Sequence, residues 1–169
     1  MLFRSPVYGQ DHLAKQLREH IHHVTSSFDT FFIYMIEGML SVGIPETMQK
    51  LKAPVDLKLL LLPIVDAARL YAVKYKLEET NTSRRLAALQ EQGLFSPALF
   101  RSVSFCYNFI MQLRFRHQKE CYEENRPVDN ILDPQKLTDL ESMLLKRHID
   151  LLEEIKNKIS LDYKGSKLK

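Results

Sequence analysis

The chain has 169 residues, 45% of them hydrophobic and 27% charged, which fits a single globular domain and excludes a disordered or fibrous protein. The formal net charge is +3. The tail 164–169 contributes all of it, because it holds three lysines and no acidic residue while the rest of the chain has as many basic as acidic residues. Nucleic-acid binders usually carry a clustered basic excess, so we expect no nucleic-acid partner.

Apolar residues spaced three or four apart predict helices in every long segment of the chain. The first such segment runs from Leu13 to Met39. Thr25, Ser26 and Ser27 lie in its middle, and short hydroxyl side chains compete for backbone hydrogen bonds. They leave open whether this segment forms one helix or two.

The second helix is predicted to begin near Pro63, because proline suits the first turn of a helix, and to end near Lys76. Polar residues 78–82 offer capping side chains for a short third helix, which Gly93 ends in the left-handed conformation. Proline and glycine thus mark the predicted boundaries of these helices.

The fourth helix begins at Ser96-Pro97 and carries a long apolar stripe, for which we predict a central position in the bundle. The fifth begins at Asp133-Pro134, with Leu140 among its inward residues and Lys156 among its outward ones. No segment shows the alternation typical of strands. The sequence therefore predicts an all-α fold, a bundle of five or six mostly antiparallel helices. The stripe of the fourth helix consists of Leu99, Val103, Cys106, Ile110, Leu113, His117 and Cys121.

Neither a membrane-spanning helix nor a secretory signal is predicted. No apolar run approaches the roughly 18 residues needed to cross a bilayer, and the first residues lack the apolar stretch and cleavage site of a secretory signal. We therefore expect a cytoplasmic protein with no membrane partner.

The two cysteines are predicted to be free thiols. Cys106 and Cys121 lie on one predicted helix, about 22 Å apart at 1.5 Å per residue, too far for a disulfide. We recognise no paired-cysteine motif and no cysteine–histidine cluster. His20 and His23 have the spacing of a helical metal pair, but further ligands are missing and a solvated face is preferred. The sequence therefore predicts no metal site.

Polar side chains late in the fourth helix form the densest candidate site. Arg114, Arg116, His117 and Gln118 offer donors that suit an anion or a carboxylate surface. The alternative is a basic helix end that complements the helix dipole and neighbouring acidic residues. His117 and His148 are each expected to be hydrogen-bonded core histidines that share no ligand.

Two further pairs have a familiar spacing. Asp66 and Arg69 lie three residues apart and can form a surface ion pair. Arg18 and His23 reproduce the spacing of helical ribonucleases that accompany small nucleotidyltransferases, but chance is preferred because only two residues are specified. We find no phosphate-binding glycine loop, nucleophile elbow or zinc-protease motif. No active site is therefore predicted for this chain.

Five segments of the chain stand out in order, namely Asp56-Leu57-Lys58, Pro63 to Leu70, Asn81 to Leu86, Leu113 to Gln118, and Asn130 to Pro134. Together they resemble one known family, the nucleotidyltransferase substrate-binding domain. The resemblance covers Asp56 to Tyr163, and residues 1–50 correspond to variable leading helices. Where the family usually has an acidic residue, this chain has Arg84, so an ion pair made by that acid is absent.

The family is found at the carboxyl end of proteins with CBS or cyclic-nucleotide-binding modules and a nucleotidyltransferase domain. It is similar to the helical part of protein-PII uridylyltransferases. The resemblance implies that residues 1–169 form one accessory domain, a C-terminal fragment of a longer protein, which is no enzyme alone and docks on an upstream nucleotidyltransferase domain. It implies no cofactor in this chain, and magnesium and a nucleoside triphosphate in the parent enzyme.

The leading hypothesis is a non-catalytic domain whose polar residues clamp nucleotide phosphates or the recipient, a protein or nucleotide substrate. One alternative is a structural module that joins domains or subunits, as in a homodimer, and a less favoured one is a helical ribonuclease. Six residues of the contact set are expected to converge on one surface, namely Asp66, Arg69, Arg85, Arg114, Arg116 and His117. The candidate contact residues are Arg69, Arg85, Arg114, Arg116, His117, Asp66, Lys58, Thr82 and Gln118.

Overall fold

The computed structural model describes residues 11–26, 29–41 and 43–164. The elements in chain order are α1 (Asp11–Ser26), α2 (Asp29–Ser41), α3 (Glu46–Gln49), β1 (Val55–Asp56), α4 (Leu57–Lys74), α5 (Thr82–Glu91), α6 (Pro97–Glu123), β2 (Ile131–Leu132), a 3-10 turn (Pro134–Lys136) and α7 (Asp139–Lys164). The all-α fold is confirmed, although the described residues contain seven α-helices rather than five or six. None of these helices is long and apolar enough to cross a membrane.

The additional helices come from the start of the chain. The first apolar segment is divided into α1 and α2, on either side of residues 27–28, which lie outside the described residues together with residues 165–169 of the basic tail. α3 is a single short turn, and Leu51 follows it with a φ of 53°. A helix of four residues is too short to leave a periodic pattern in the sequence, which is why α3 was not predicted.

Helix α4 begins at Leu57, so the predicted start near Pro63 is wrong. Asp56 caps the helix, because its carboxylate accepts hydrogen bonds from the amides of Lys58 at 2.9 Å and Leu59 at 3.2 Å. Pro63 lies inside the helix, where its missing amide removes one backbone hydrogen bond. The cap satisfies amides that would otherwise lack partners, so it fixes the start of α4 and the proline is tolerated.

Helix α4 is the centre of the bundle, a position that we predicted for α6. It contacts α2, α5, α6 and α7 and buries residues on more than one face, among them the small Ala67 and Ala68, which let neighbouring helices approach. α6 buries a single stripe, as its sequence predicts, from Val103 to Cys121, with Leu99 only partly buried.

A two-residue antiparallel ladder joins the start of α4 to the segment after α6. Val55 pairs with Leu132 and Asp56 with Ile131. The amide of Leu57 then donates to the carbonyl of Asn130 at 2.9 Å. Strands of two residues are too short to show alternation, so the ladder was not predicted.

Helix α7 begins later than predicted. Asp133 and Pro134 open the 3-10 turn, and α7 starts with a capping box, in which the amide of Thr138 donates to the Glu141 carboxylate at 2.9 Å. Two orientations on α7 are also opposite to the prediction: Leu140 is 61% exposed and Lys156 only 6% exposed.

Candidate functional site

The polar residues at the end of α6 are joined to the segment that follows the helix. Arg114 Nε donates to Asn130 Oδ1 at 2.6 Å, and Gln118 Nε2 donates to the same oxygen at 3.1 Å. Because Asn130 also accepts the Leu57 amide, one asparagine links α6 to the start of α4. The contacts of Arg114 and Gln118 are therefore internal.

His117 contacts Asp129, the residue before Asn130 in the segment that follows α6. Its Nε2 donates to Asp129 Oδ1 at 2.6 Å, and the hydrogen bond lowers the pKa of that carboxyl, with a further contribution from the Ile131 amide. We call Arg114, His117, Gln118, Asp129 and Asn130 the anchor cluster, since together they fasten residues 124–133 to α6.

Cys121 lies beside the anchor cluster. One turn after His117, its fully buried Sγ is 3.4 Å from His117 Nε2, and in the described part of the chain these two residues and Asp129 are the group that could hold a metal ion. His117 and Cys121 therefore form a cysteine–histidine pair, and the prediction that the chain has no such cluster is wrong. The spacing of four was visible in the sequence, whereas the turn that brings Asp129 back was not.

The free thiols are confirmed. Cys106 and Cys121 are both buried in α6 and neither forms a disulfide. On α1, His20 and His23 are exposed, and the Arg18 side chain lies outside the described residues, so the ribonuclease spacing stays a prediction.

Arg116 contacts a different helix. Its Nη1 is 2.6 Å from Glu141 Oε1 on α7. The arginine and the Thr138 amide lower the pKa of Glu141 to about 2. Arg116 therefore joins α6 to α7 and lies apart from the anchor cluster.

A second polar group lies on α4 and α5. Arg69 Nη1 is 3.2 Å from Asp66 Oδ1, which confirms the predicted ion pair, and Arg85 Nε donates to the Glu79 carbonyl at 2.6 Å. Burial raises the pKa of Asp66 against the opposing effect of Arg69. Burial and the nearby Arg69 charge lower the pKa of Arg85. Asp66, Arg69 and Arg85 thus form one group.

The contacts divide the predicted contact set. Arg69 is twelve residues beyond Leu57, about 18 Å along α4 at 1.5 Å per residue, and Leu57 is where the anchor cluster meets that helix. Lys58 is exposed beside that point, and Thr82 is half-buried at the start of α5. The structure brings together Asp66 with its arginines, and separately the anchor cluster, while Arg116 contacts α7.

A groove lies between α6 and α7. It encloses about 430 Å³ and is open to solvent. Arg101 and Arg147 on its rim are exposed, and neither forms a hydrogen bond or an ion pair with a described residue. We call this site the α6–α7 groove. It is lined by Arg101, Ser102 and Phe105 of α6 and by Leu144, Arg147, His148, Leu151 and Glu154 of α7.

His148 lies on the wall of the α6–α7 groove. The residue is 4% exposed, its ring lies 5.5 Å from that of Phe105 and 5.1 Å from that of Phe109, and its buried Nδ1 has no hydrogen-bond partner among the described residues. Burial and the adjacent Arg147 lower its pKa, so the ring is neutral at pH 7. The predicted core position is confirmed, but the expected hydrogen bond is not found in the described chain.

Sequence reasoning missed this groove. Arg101 and Phe105 lie one helical turn apart, as do Arg147 and Leu151, so each helix carries an arginine above an apolar residue beside its buried stripe. That pattern was a usable signal, but only the packing of α6 beside α7 shows that the two pairs line one groove.

A family model described as "Putative nucleotidyltransferase substrate binding domain" matches residues 44–163. The match begins twelve residues before Asp56, where the resemblance was placed, and includes the anchor cluster and the α6–α7 groove. No curated protein and no solved structure matches the chain.

Proposed function

Because the chain belongs to the nucleotidyltransferase substrate-binding domain family, we propose that it is the non-catalytic part of a nucleotidyltransferase that binds a substrate and docks on the catalytic domain. The catalytic domain would precede it in a longer polypeptide, and that parent would use magnesium and a nucleoside triphosphate. Further parts of the proposal are a uridylyltransferase-like signalling protein with CBS or cyclic-nucleotide-binding modules, a cytoplasmic location and a homodimer.

The observation that carries the proposal at residue level is the α6–α7 groove. Arg101 and Arg147 are exposed there and have no acidic partner among the described residues. A guanidinium is suited to bind phosphate through two parallel hydrogen bonds. Among the described lining residues Glu154 is the one acid, so the two arginines give the groove a net positive charge. The groove therefore suits an anion, and a nucleotide phosphate has the matching chemistry.

The apolar wall of the groove suits the remainder of such a ligand. Phe105 is a large exposed aromatic residue, and aromatic faces stack on nucleic bases with a gain of about 1–3 kcal/mol per base. Ser102 adds a polar side chain to the same lining. We propose that phosphates contact the arginines while the base lies against Phe105.

The contact residues predicted from the sequence fall into two groups, those that remain candidates for docking and those that contact the chain itself. Lys58 is exposed at the start of α4, and together with Asp66, Arg69, Thr82 and Arg85 it stays a candidate for docking on the catalytic domain. The alternative function, a structural module, is favoured by one observation, namely that Arg114, Arg116, His117 and Gln118 all contact residues of the chain itself.

The proposal is tested by titrating the isotope-labelled chain with UTP, ATP and inorganic pyrophosphate, and following backbone amide shifts by NMR. We expect shifts at Ser102, Phe105 and His148, and their loss in Arg147→Ala. The control is Arg84→Ala, which removes an arginine of α5 whose side chain is 77% exposed and should leave the titration unchanged.

Two outcomes would contradict the binding proposal: no shift at millimolar nucleotide, or shifts that survive Arg147→Ala. A second assay concerns catalysis. Labelled UTP and magnesium should give no transfer with this chain alone, and transfer should appear when the catalytic domain of the parent is added. If Arg147→Ala leaves that restored activity intact, the structural alternative is preferred.

A further inference from the structure

We propose that His117, Cys121 and Asp129 bind a divalent ion of the zinc class. The proposal concerns the buried end of α6 and is independent of the α6–α7 groove. The three side chains offer an imidazole nitrogen, a thiolate sulfur and a carboxylate oxygen, which are the protein ligands that zinc takes. Their ligand atoms all lie within 4.8 Å of one another.

The distances fit tetrahedral coordination after a small movement. Zinc bonds of about 2.0–2.1 Å to nitrogen and about 2.3 Å to sulfur place these two ligand atoms about 3.5 Å apart at the tetrahedral angle. His117 Nε2 and Cys121 Sγ are 3.4 Å apart. Because one helix fixes both residues at i and i+4, this pair is preformed for the ion.

The third ligand has to move, and its position allows it. His117 Nε2 and Asp129 Oδ1 are 2.6 Å apart because they share a proton, whereas two zinc ligands of this kind lie about 3.3 Å apart. The Asp129 side chain is 47% exposed and lies in a segment outside the helices, so rotation of the side chain can supply the difference. The ion then takes the place of the Nε2 proton, which moves to Nδ1 of the same ring, so that the imidazole stays neutral as a ligand.

The charges also balance. Zinc binding requires a neutral imidazole and releases the thiol proton. The thiolate of Cys121 and the carboxylate of Asp129 together offset the two positive charges of the ion. The chain supplies three ligands, so the fourth position is left for water, as in open zinc sites.

The bound ion would act on the segment after α6. Asp129 immediately precedes Asn130, which accepts hydrogen bonds from Arg114, Gln118 and the Leu57 amide. A bond from the metal to Asp129 therefore fixes the same segment that joins α6 to α4.

The experiment uses the full chain, first stripped with a chelator and then titrated with Co²⁺ alone, with absorption spectra recorded at each step. We expect one equivalent to bind with a thiolate-to-cobalt charge-transfer band, and one equivalent of Zn²⁺ to abolish that band. Cys121→Ser should abolish it, and Asp129→Asn should weaken cobalt binding by about tenfold or more, at least the loss seen for residues that only support a metal ligand.

Cys106→Ser is the matched control. Cys106 is a buried thiol of the same helix whose pKa burial raises to about 12, and no histidine or acid joins it in a candidate metal group of the described chain. This variant should keep the cobalt band. A band that survives Cys121→Ser, or one that disappears in Cys106→Ser, overturns the proposal, as does the lack of any band in the unaltered chain.

Circular dichroism checks that each variant is folded. If Cys121→Ser does not fold, Asp129→Asn decides by itself, because it preserves volume at a half-exposed position. Cobalt binding by Asp129→Asn as tight as that of the unaltered chain would overturn the proposal.

Discussion

The arginine side chains at the two ends of α6 differ in their contacts. Near its carboxyl end, Arg114 donates to Asn130 and Arg116 to Glu141, so both are occupied by the protein itself. In its first turns, Arg101 lines the α6–α7 groove opposite Arg147, and neither has an ionic partner within the described chain. The polar run from Arg114 to Gln118 thus makes contacts within the chain, whereas the two arginines of the groove are exposed to solvent.

The largest expected effect concerns the fastened end. Asn130→Ala removes the oxygen that accepts from both Arg114 and Gln118. Leaving a charged and a neutral donor without their acceptor should lower the free energy of unfolding by about 2–3 kcal/mol. Urea denaturation at pH 7 measures the loss, with Asn157→Ala, an exposed position on α7, as control. Equal stability of the two variants would contradict the anchoring role.

An intermediate effect is expected where Arg116 meets α7. The pKa of Glu141 is lowered from 4.5 to about 2, so its ionised form stabilises the folded chain above pH 4.5, and this contribution is lost as the pH falls towards 2. Glu141→Gln should therefore cost about 1 kcal/mol at pH 7, since the arginine is partly solvated.

The pH dependence distinguishes this ion pair from a general effect of charge. Urea denaturation of both proteins between pH 7 and pH 2 should show the difference shrink towards zero below pH 4.5. Asp150→Asn, an exposed acid of the same helix, should show no comparable difference. A Glu141→Gln deficit that persists unchanged at the acid end would contradict the assignment.

The smallest effect is expected in the groove. Arg101→Ala and Arg147→Ala remove exposed side chains that have no partner in the part of the chain that the structure describes. Each should therefore change the free energy of unfolding by no more than about 0.5 kcal/mol. Arg114→Ala serves as the comparison and should cost more. If thermal denaturation shows that Arg101→Ala and Arg114→Ala lose the same free energy of unfolding, the two ends of α6 do not differ as described.

The sequence predicts elements well where local chemistry decides them. Ser96 caps α6 by accepting the Leu99 amide at 3.1 Å, and Gly93 takes the left-handed φ of 71° that ends α5. Both were predicted because capping needs only neighbouring residues. Pro63 misled for the converse reason, since the packing around α4 outweighs one missing hydrogen bond.

The candidate sites were less predictable because they depend on contacts between distant segments. The hydrogen bonds of Arg114 and His117 cross sixteen and twelve residues, and periodicity says nothing of such pairings. The spacing of His117 and Cys121 was local and visible, but their third neighbour Asp129 arrives through a turn in which Asn125 has a φ of 52°. The sequence therefore shows the residues that lie together on one helix, but not the distant residues that the fold brings beside them.

The small ladder between β1 and β2 has a consequence for how the chain folds. Val55 and Leu132 are far apart in sequence, and they enclose α4, α5 and α6 in one long loop. Closing a loop of this length costs conformational entropy that two paired residues cannot recover. We therefore expect the ladder to form only after α4 and α6 have packed, so that it closes a unit of three helices late in folding.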